Sequence, residues 1–418
     1  MKKVFILSTL LLTGLVLSQV LPVVVDNYSS LNIYIKMCTI ICLAFIMIHV
    51  GYEFEIRKDK IKDYGYDYLI AFSAATLPWI FVTIYFVYAL TPDSFRSGET
   101  WINSLLIARF ASPTSAGVLF SMLTAAGLAS TWMFKKTRVL AIFDDLDTVI
   151  LMIPLQMLII GFKFELLFVM VIMIVQVLFA WRHFNSLQLS IRWKNVLFYA
   201  VIISGTAEII YYLSKAMYET VGVHIEVLLP AFILGSMISK KHNYIRSHEN
   251  NQGEDILEQK KEKTVSYIVS AVFMLFVGLS MPPLEGFSGS DLKTQHFEIV
   301  DAALKGNEVL NLNPEQTLNW ETIIFHVLIV TLLSNIGKMV PAFVYRREAS
   351  WRERLAVAIA MFPRGEVGAG VLIISMSYGI GGPIVTIAML SLALNLLLTG
   401  LFIMLVKSLL KNVPNTQI

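Results

Sequence analysis

Long apolar runs, separated by short charged stretches, fill almost the whole chain. A helix that crosses a bilayer needs about 20 mostly apolar residues. Twelve runs meet that measure, at about 4–25, 31–56, 65–90, 101–129, 135–161, 165–181, 193–217, 223–239, 264–284, 320–345, 351–377 and 383–407. The eighth is short and carries Pro230. The expected fold class is therefore an all-α membrane protein with about 12 transmembrane helices in a single transmembrane domain. Two polar stretches are longer than the others. The first, 240–263, reads as a charged, flexible cytoplasmic linker. The second, 285–319, reads as an external loop. Its apolar positions Phe297, Val300 and Leu304, between Ser290 and Gly306, suit a short interfacial helix.

Composition narrows the class further. Of 418 residues, 56% are hydrophobic and only 15% charged, whereas soluble chains carry about a quarter. A soluble protein this apolar would expose large patches and aggregate. The net charge of +3, with no basic patch, implies no nucleic-acid partner. Neither a P-loop nor a Gly-x-Gly-x-x-Gly after a strand is present, so no nucleotide is expected. Cys38 and Cys42 lie one turn apart in an apolar run and read as packing residues. Lys2 and Lys3 before an apolar run resemble a secretory signal. The run continues through Pro22 with no small-residue cleavage site, so it is expected to stay as the first helix.

Basic residues set the orientation. With the N-terminus in the cytoplasm, 24 of the 33 basic residues fall in inside segments and five in outside segments: Arg96, Lys163, Lys215, Lys293 and Lys305. A miscounted span in the middle would scramble that asymmetry. Both termini are then cytoplasmic, in a multi-pass protein of the cell (inner) membrane.

Four basic residues remain inside spans: Lys36, which can snorkel from the second, and Arg109, Lys338 and Arg364, which lie deeper. The internal acids are Asp144, Asp145, Asp147, Glu208 and Glu366. Charge at such depth is costly and marks an ion pathway. Five acids against three deep bases leave an excess of two negative charges, suited to a site neutralised by a cation or by protons.

The fifth span concentrates the acids in Phe143-Asp144-Asp145-Leu146-Asp147-Thr148. Three carboxylates within a turn cannot all ionise unaided in lipid. Adjacent residues point about 100° apart, so Asp144 and Asp145 reach different partners. One can hold a permanent counter-ion while the other exchanges ligands. A solvated helix end is the simpler reading, but Lys135, Lys136 and Arg138 already mark the surface two to three turns earlier.

Two spans are interrupted. The fourth contains Ser112-Pro113-Thr114-Ser115-Ala116-Gly117, and the eleventh Phe362-Pro363-Arg364-Gly365-Glu366-Val367-Gly368. Proline removes a backbone donor and clashes with the preceding turn. Paired breaks in opposed halves point to an inverted-repeat transporter with its site where the breaks cross. The tenth span carries Ser334-Asn335-Ile336-Gly337-Lys338, a lysine that needs a partner or must lose its proton.

Leu140 to Leu151, the Gly337-Lys338 pair and the two broken spans together resemble the bacterial sodium/proton antiporter superfamily, nearest its electrogenic double-aspartate branch. Val50-Gly51-Tyr52-Glu53, Leu229-Pro230-Ala231-Phe232-Ile233-Leu234-Gly235 and Phe276-Val277-Gly278-Leu279-Ser280 resemble further family segments, so the likeness runs along most of the chain. It implies that Asp145 binds cation or proton and that Asp144 pairs with Lys338. Ser112, Thr114, Ser115 and Gly365 match the crossing, and Arg364 and Glu366 the family's polar pair. It implies a core of about 65–161 and 320–407, and a scaffold of about 1–56 and 193–284 that forms a homodimer. The cargo would be Na⁺, Li⁺ or K⁺ against H⁺, with no cofactor and membrane lipid as surroundings.

This chain departs from the pattern at Asp147, where the closest family motif has glycine, and at Arg109, one turn before the fourth-span break. Arg109 is expected to compensate Asp147 or Glu208. Glu208 either lines the cavity or pairs with a base, and His49 and His326 read as packed or interfacial histidines rather than pH sensors. A sodium-coupled solute symporter is the alternative, with no need for Lys338. An intramembrane aspartyl protease needs aspartates on facing helices rather than adjacent ones, so no enzyme is expected.

Overall fold

The computed structural model describes residues 2–25, 28–53, 61–160, 186–217, 227–239, 252–281, 320–377, 380 and 383–411, with a few positions between 171 and 183. The expected sixth span lies mostly, and the expected interfacial helix wholly, outside the described residues. The described chain is helical and contains no β-strand. One isolated parallel bridge joins Leu187 to Ile238.

The helices are α1 (Lys2–Val24), α2 (Tyr28–Glu53), α3 (Ile61–Tyr85), α4 (Gly98–Ala108), α5 (Ala116–Ala125), α6 (Trp132–Ile160) and α7 (Trp193–Met217). There follow α8 (Leu228–Met237), α9 (Gln252–Leu279), α10 (Trp320–Gly337), α11 (Val340–Val344), α12 (Trp351–Ala360), α13 (Glu366–Ser377) and α14 (Pro383–Leu410). Eight stretches among the described residues are long and apolar enough to cross a bilayer: Lys2–Leu21, Ile33–Tyr52, Gly65–Leu90, Gly98–Ala125, Trp193–Ile210, Lys261–Leu279, Trp320–Val344 and Pro383–Leu410. The chain is a multi-pass membrane protein. Its exposed side chains include Phe5, Leu69, Phe198, Leu328 and Leu401, which suits lipid rather than water.

Hydroxyls inside these apolar helices are satisfied locally. Thr13 donates to the Thr9 carbonyl at 2.8 Å, Thr39 to Ile35 at 2.8 Å, Thr83 to Trp79 at 2.8 Å and Thr399 to Asn395 at 2.9 Å. Each bond runs back one turn, which removes the cost of a bare hydroxyl in hydrocarbon. The stretch expected as a flexible linker at 240–263 differs from Gln252 onward. There it is helical and continuous with the ninth span as α9. Its sequence, Leu257-Glu258-Gln259-Lys260-Lys261-Glu262-Lys263, is made of strong helix formers, so charge alone does not make it a coil.

The chain divides into two compact units. The first comprises Met1–Ser30, Lys62–Gly161 and Val277–Ile418; the second comprises Leu31–Ile61 and Phe162–Phe276. In the first unit α14 packs against α1, α10 and α12. In the second, α2 and α8 touch backbone to backbone. A Cβ on Gly51 would overlap the Phe232 carbonyl, and one on Gly235 the Ile48 carbonyl. Glycine pairs let helices approach closely where no water is available to drive them together.

Gly235→Leu is expected to destabilise the protein by on the order of 2 kcal/mol through overpacking. Gly205 on α7 has nothing within 4 Å of an added Cβ. Gly205→Ala should leave stability unchanged or raise it slightly. Thermal unfolding of both variants in detergent checks the opposite signs.

Candidate functional site

The fourth span stops and restarts within one bilayer crossing. α4 ends in a 3₁₀ turn over Arg109–Ala111, and the chain is non-helical through Ser115 before α5 begins. Pro113 offers no amide hydrogen, and the side chains around it take up the freed groups. Ser112 Oγ donates to the Ala75 carbonyl at 2.7 Å. Ser115 caps α5, its Oγ accepting from Val118 N at 3.4 Å. The eleventh span is likewise interrupted between α12 and α13.

The two interruptions touch. Thr114 Oγ1 donates to the Met361 carbonyl at 3.0 Å, and the Ser115 amide donates to the Pro363 carbonyl at 2.9 Å. Gly365 keeps room for Ser115: a Cβ there would lie 3.0 Å from its Oγ. Each break therefore satisfies backbone groups that the other leaves without a helical partner.

The α6 carboxylates meet this crossing from one side. Asp144 is 0% exposed and accepts from the Thr114 amide at 2.7 Å. Lys338, also 0% exposed, donates to both of its oxygens, at 2.8 and 2.7 Å. The lysine sits in the turn between α10 and α11. Gly337, just before it, lies against Pro78 of α3 so closely that a Cβ would overlap the proline ring. Asp145 is 7% exposed and, as the next residue on α6, projects to a different side of the helix. Asp147 is 1% exposed, and the Tyr68 hydroxyl donates to its carboxylate.

Two guanidinium groups complete the arrangement. Arg364 donates to the carbonyls of Ala111, Phe362 and Ser334 at 2.9, 3.0 and 2.8 Å. It also reaches the side-chain oxygens of Asn335 and Asn395 at 2.8 and 3.4 Å. It thus joins both breaks to α10 and α14 through neutral acceptors. Arg109 Nη2 donates to the Asp147 carbonyl at 2.9 Å, and its guanidinium carbon lies 4.6 Å from the centre of the Trp79 ring.

The structure thus brings Arg109, Ser112, Thr114, Ser115, Asp144, Asp145, Asp147, Lys338, Arg364 and Gly365 into one region of the first unit. Glu208 lies on α7 in the second unit, 3.4 Å from Lys36. Arg109 stands beside Asp147 in the first unit. Lys36 bridges to that acid rather than only snorkelling. Glu366 opens α13, but its side chain lies outside the described residues. Among the described residues of the first unit, the site holds three acids and three bases. The three carboxylates fan around α6, and among the described residues no three acid, His or Cys side chains converge on a single metal position. His49 packs edge-on against Phe45 at 4.8 Å, and the Tyr85 hydroxyl lies 2.6 Å from His326 Nδ1.

A second, half-buried charge cluster was not legible in the sequence. Lys136 Nζ lies 2.9 and 3.1 Å from the Asp67 oxygens and 2.9 Å from Glu348 Oε2. Tyr345 donates to Asp67 at 2.8 Å, and its ring lies 4.5 Å below the ammonium. The signal was Asp67 itself, a carboxylate already inside the expected third span.

Residues 2–406 match the family described as sodium/hydrogen exchanger, transmembrane. No curated protein matches the chain by sequence. Among solved structures, that of a sodium proton antiporter from Methanocaldococcus jannaschii at pH 8 is similar, with a TM-score of 0.56 and 15% identity. The match covers 96% of this chain and 92% of that one. At that identity the likeness is one of fold.

Removing one partner of a dry ion pair leaves an uncompensated charge, at a cost of about 3–5 kcal/mol. Asp144→Ala is expected to destabilise the protein by that order. Asp144→Ala with Lys338→Met should recover much of the loss, since both charges are then gone. Thermal unfolding of the single and double variants measures the coupling.

Proposed function

Because this chain belongs to the sodium/hydrogen exchanger family, we propose that it exchanges Na⁺, or Li⁺ or K⁺, for H⁺ at Asp145 and Asp144, electrogenically. The observation that carries the reading is the Lys338–Asp144 pair. An ammonium and a carboxylate are locked together with no exposure, next to a second buried carboxylate, beside the touching breaks. Such a pair is costly to desolvate and so is poised rather than rigid. A cation arriving at Asp145 brings positive charge close to the ammonium and disfavours it. Lys338 then releases a proton, which adds to the proton displaced from Asp145, so two protons exchange for one cation.

The breaks supply the surroundings for a bare cation. Carbonyl and hydroxyl oxygens at Ser112, Thr114 and Ser115 are the oxygen ligands the breaks would offer a partly dehydrated ion. The Thr114 amide, freed in the break before α5, donates to Asp144. Transport proceeds by alternating access of the site to the two sides of the membrane. The protein acts as a homodimer in the inner membrane with both termini in the cytoplasm.

Asp145→Asn should fold, insert and lose exchange. Cation-driven dissipation of a proton gradient in inverted vesicles measures it, and near-normal transport would move the site elsewhere. Wild-type protein in liposomes should generate a membrane potential during exchange. Lys338→Gln should be inactive or electroneutral. Solid-supported membrane currents, normalised to folded protein, test this. An electroneutral wild type would overturn the electrogenic assignment.

A further inference from the structure

The α4 break carries a charge for which ion exchange at Asp145 and Asp144 has no use. Arg109 is 0% exposed. Of its three nitrogens, Nη2 bonds to the Asp147 carbonyl, while Nε and Nη1 are buried with no hydrogen-bond partner among the described residues. Arg364 shows what a satisfied guanidinium looks like in the same unit, with five oxygen acceptors around it. Arg109 has one carbonyl and one ring face as direct contacts, with the Asp144 and Asp147 carboxylates within electrostatic reach. The ring is itself fixed, because Trp79 Nε1 donates to the Leu105 carbonyl at 2.7 Å.

A guanidinium does not lose its proton in a protein, so this charge is permanent. Buried donors left unspent are costly. A cation–π contact offsets only part of that cost. Tying the end of α4 to α6 takes a single donor, and a neutral side chain supplies one. The structure instead holds a full charge against α6 and spends one of its bonds on the backbone.

We infer that Arg109 sets the cation affinity of the exchange site: its fixed positive charge weakens binding of a cation at the α6 carboxylates. The inference rests on the exchange reading above. The bond to the Asp147 carbonyl places the guanidinium at the surface of α6. Asp145 is two residues earlier, about 3 Å along the axis and roughly 10 Å away across the helix. At that separation, with an effective dielectric of about 20, like charges oppose each other enough to change a binding constant roughly tenfold. A transported ion must bind well enough to enter and weakly enough to leave. A permanent neighbouring charge shifts that balance towards release. The other two buried bases are differently engaged, Lys338 by Asp144 and Arg364 by its ring of oxygens.

The test compares wild type with Arg109→Lys, Arg109→Gln and Arg109→Met, purified and reconstituted in liposomes. Initial rates of Na⁺-driven proton movement are measured against Na⁺ concentration. The two neutral variants should lower the KM for Na⁺ roughly tenfold and lower the maximal rate as release slows. Arg109→Lys keeps the charge and should hold KM within about twofold of wild type. Neutral variants that lose rate or yield at unchanged KM would overturn the inference, leaving Arg109 as a tie between α4 and α6. Failure of both neutral variants to fold, with Arg109→Lys sound, would assign the charge to stability and overturn it as well. A wild type that moves no protons with Na⁺, Li⁺ or K⁺ fails at the exchange reading itself, before any variant is compared.

Discussion

Lys338 and Asp144 meet where no solvent reaches either of them. Removing a carboxylate and an ammonium from water costs several kcal/mol per ion even after relaxation, and mutual attraction returns that only with good geometry and further donors. The surrounding structure supplies both. Lys338 spans both oxygens of Asp144, and the Thr114 amide adds a third donor to the same carboxylate. That amide is available only because α4 has stopped and α5 has not yet begun. The lysine can approach only because Gly337 lets α10 lie against Pro78. A proline break and a glycine contact far apart in sequence thus serve one ion pair.

The same accounting explains Arg364. Interrupted helices leave carbonyls without amide partners, and lipid offers none. One guanidinium gathers Ala111 from the first break, Phe362 from the second and Ser334 from α10. Lysine could not do this, since a point charge on a flexible stem lacks the planar fork that reaches several oxygens at fixed angles. The crossing is held together largely by backbone oxygens, so its chemistry depends on where the chain stops being helical as much as on side-chain identity.

Hydrophobic runs, Pro113 and Pro363, the α6 carboxylates and Lys338 were all legible in the sequence. Each is a local departure from an apolar background, where a charge or a proline has few ordinary explanations. Pairings were harder to read. Lys36 and Glu208 lie in different spans, and nothing local says that they meet. Arg109 was offered two acids, and only the fold shows it standing beside Asp147. Lys136 was read as a surface marker, because a one-dimensional reading takes charge near a membrane boundary as solvated, and its partner Asp67 lies in another span. Asn395 was the remaining clue, an amide in an otherwise apolar run, now seen accepting from Arg364. The helical segment from Gln252 shows the opposite error, in which charge density was read as flexibility.

The Lys136 cluster has a mechanical side. Lys136 belongs to α6, Asp67 to α3, and Tyr345 and Glu348 to the turn before α12. Three separate pieces of chain are riveted at one corner by short polar contacts, with aromatic rings packed beneath. Sliding any one of them alone would tear several bonds at once, so the corner transmits displacement rather than absorbing it. A push on the turn at 345–348 is therefore passed to α6 at Lys136, eight residues before Asp144, the first of its three carboxylates. Compliance in this part of the molecule has to be sought elsewhere, in the non-helical links at Ser112–Ser115 and Met361–Gly365.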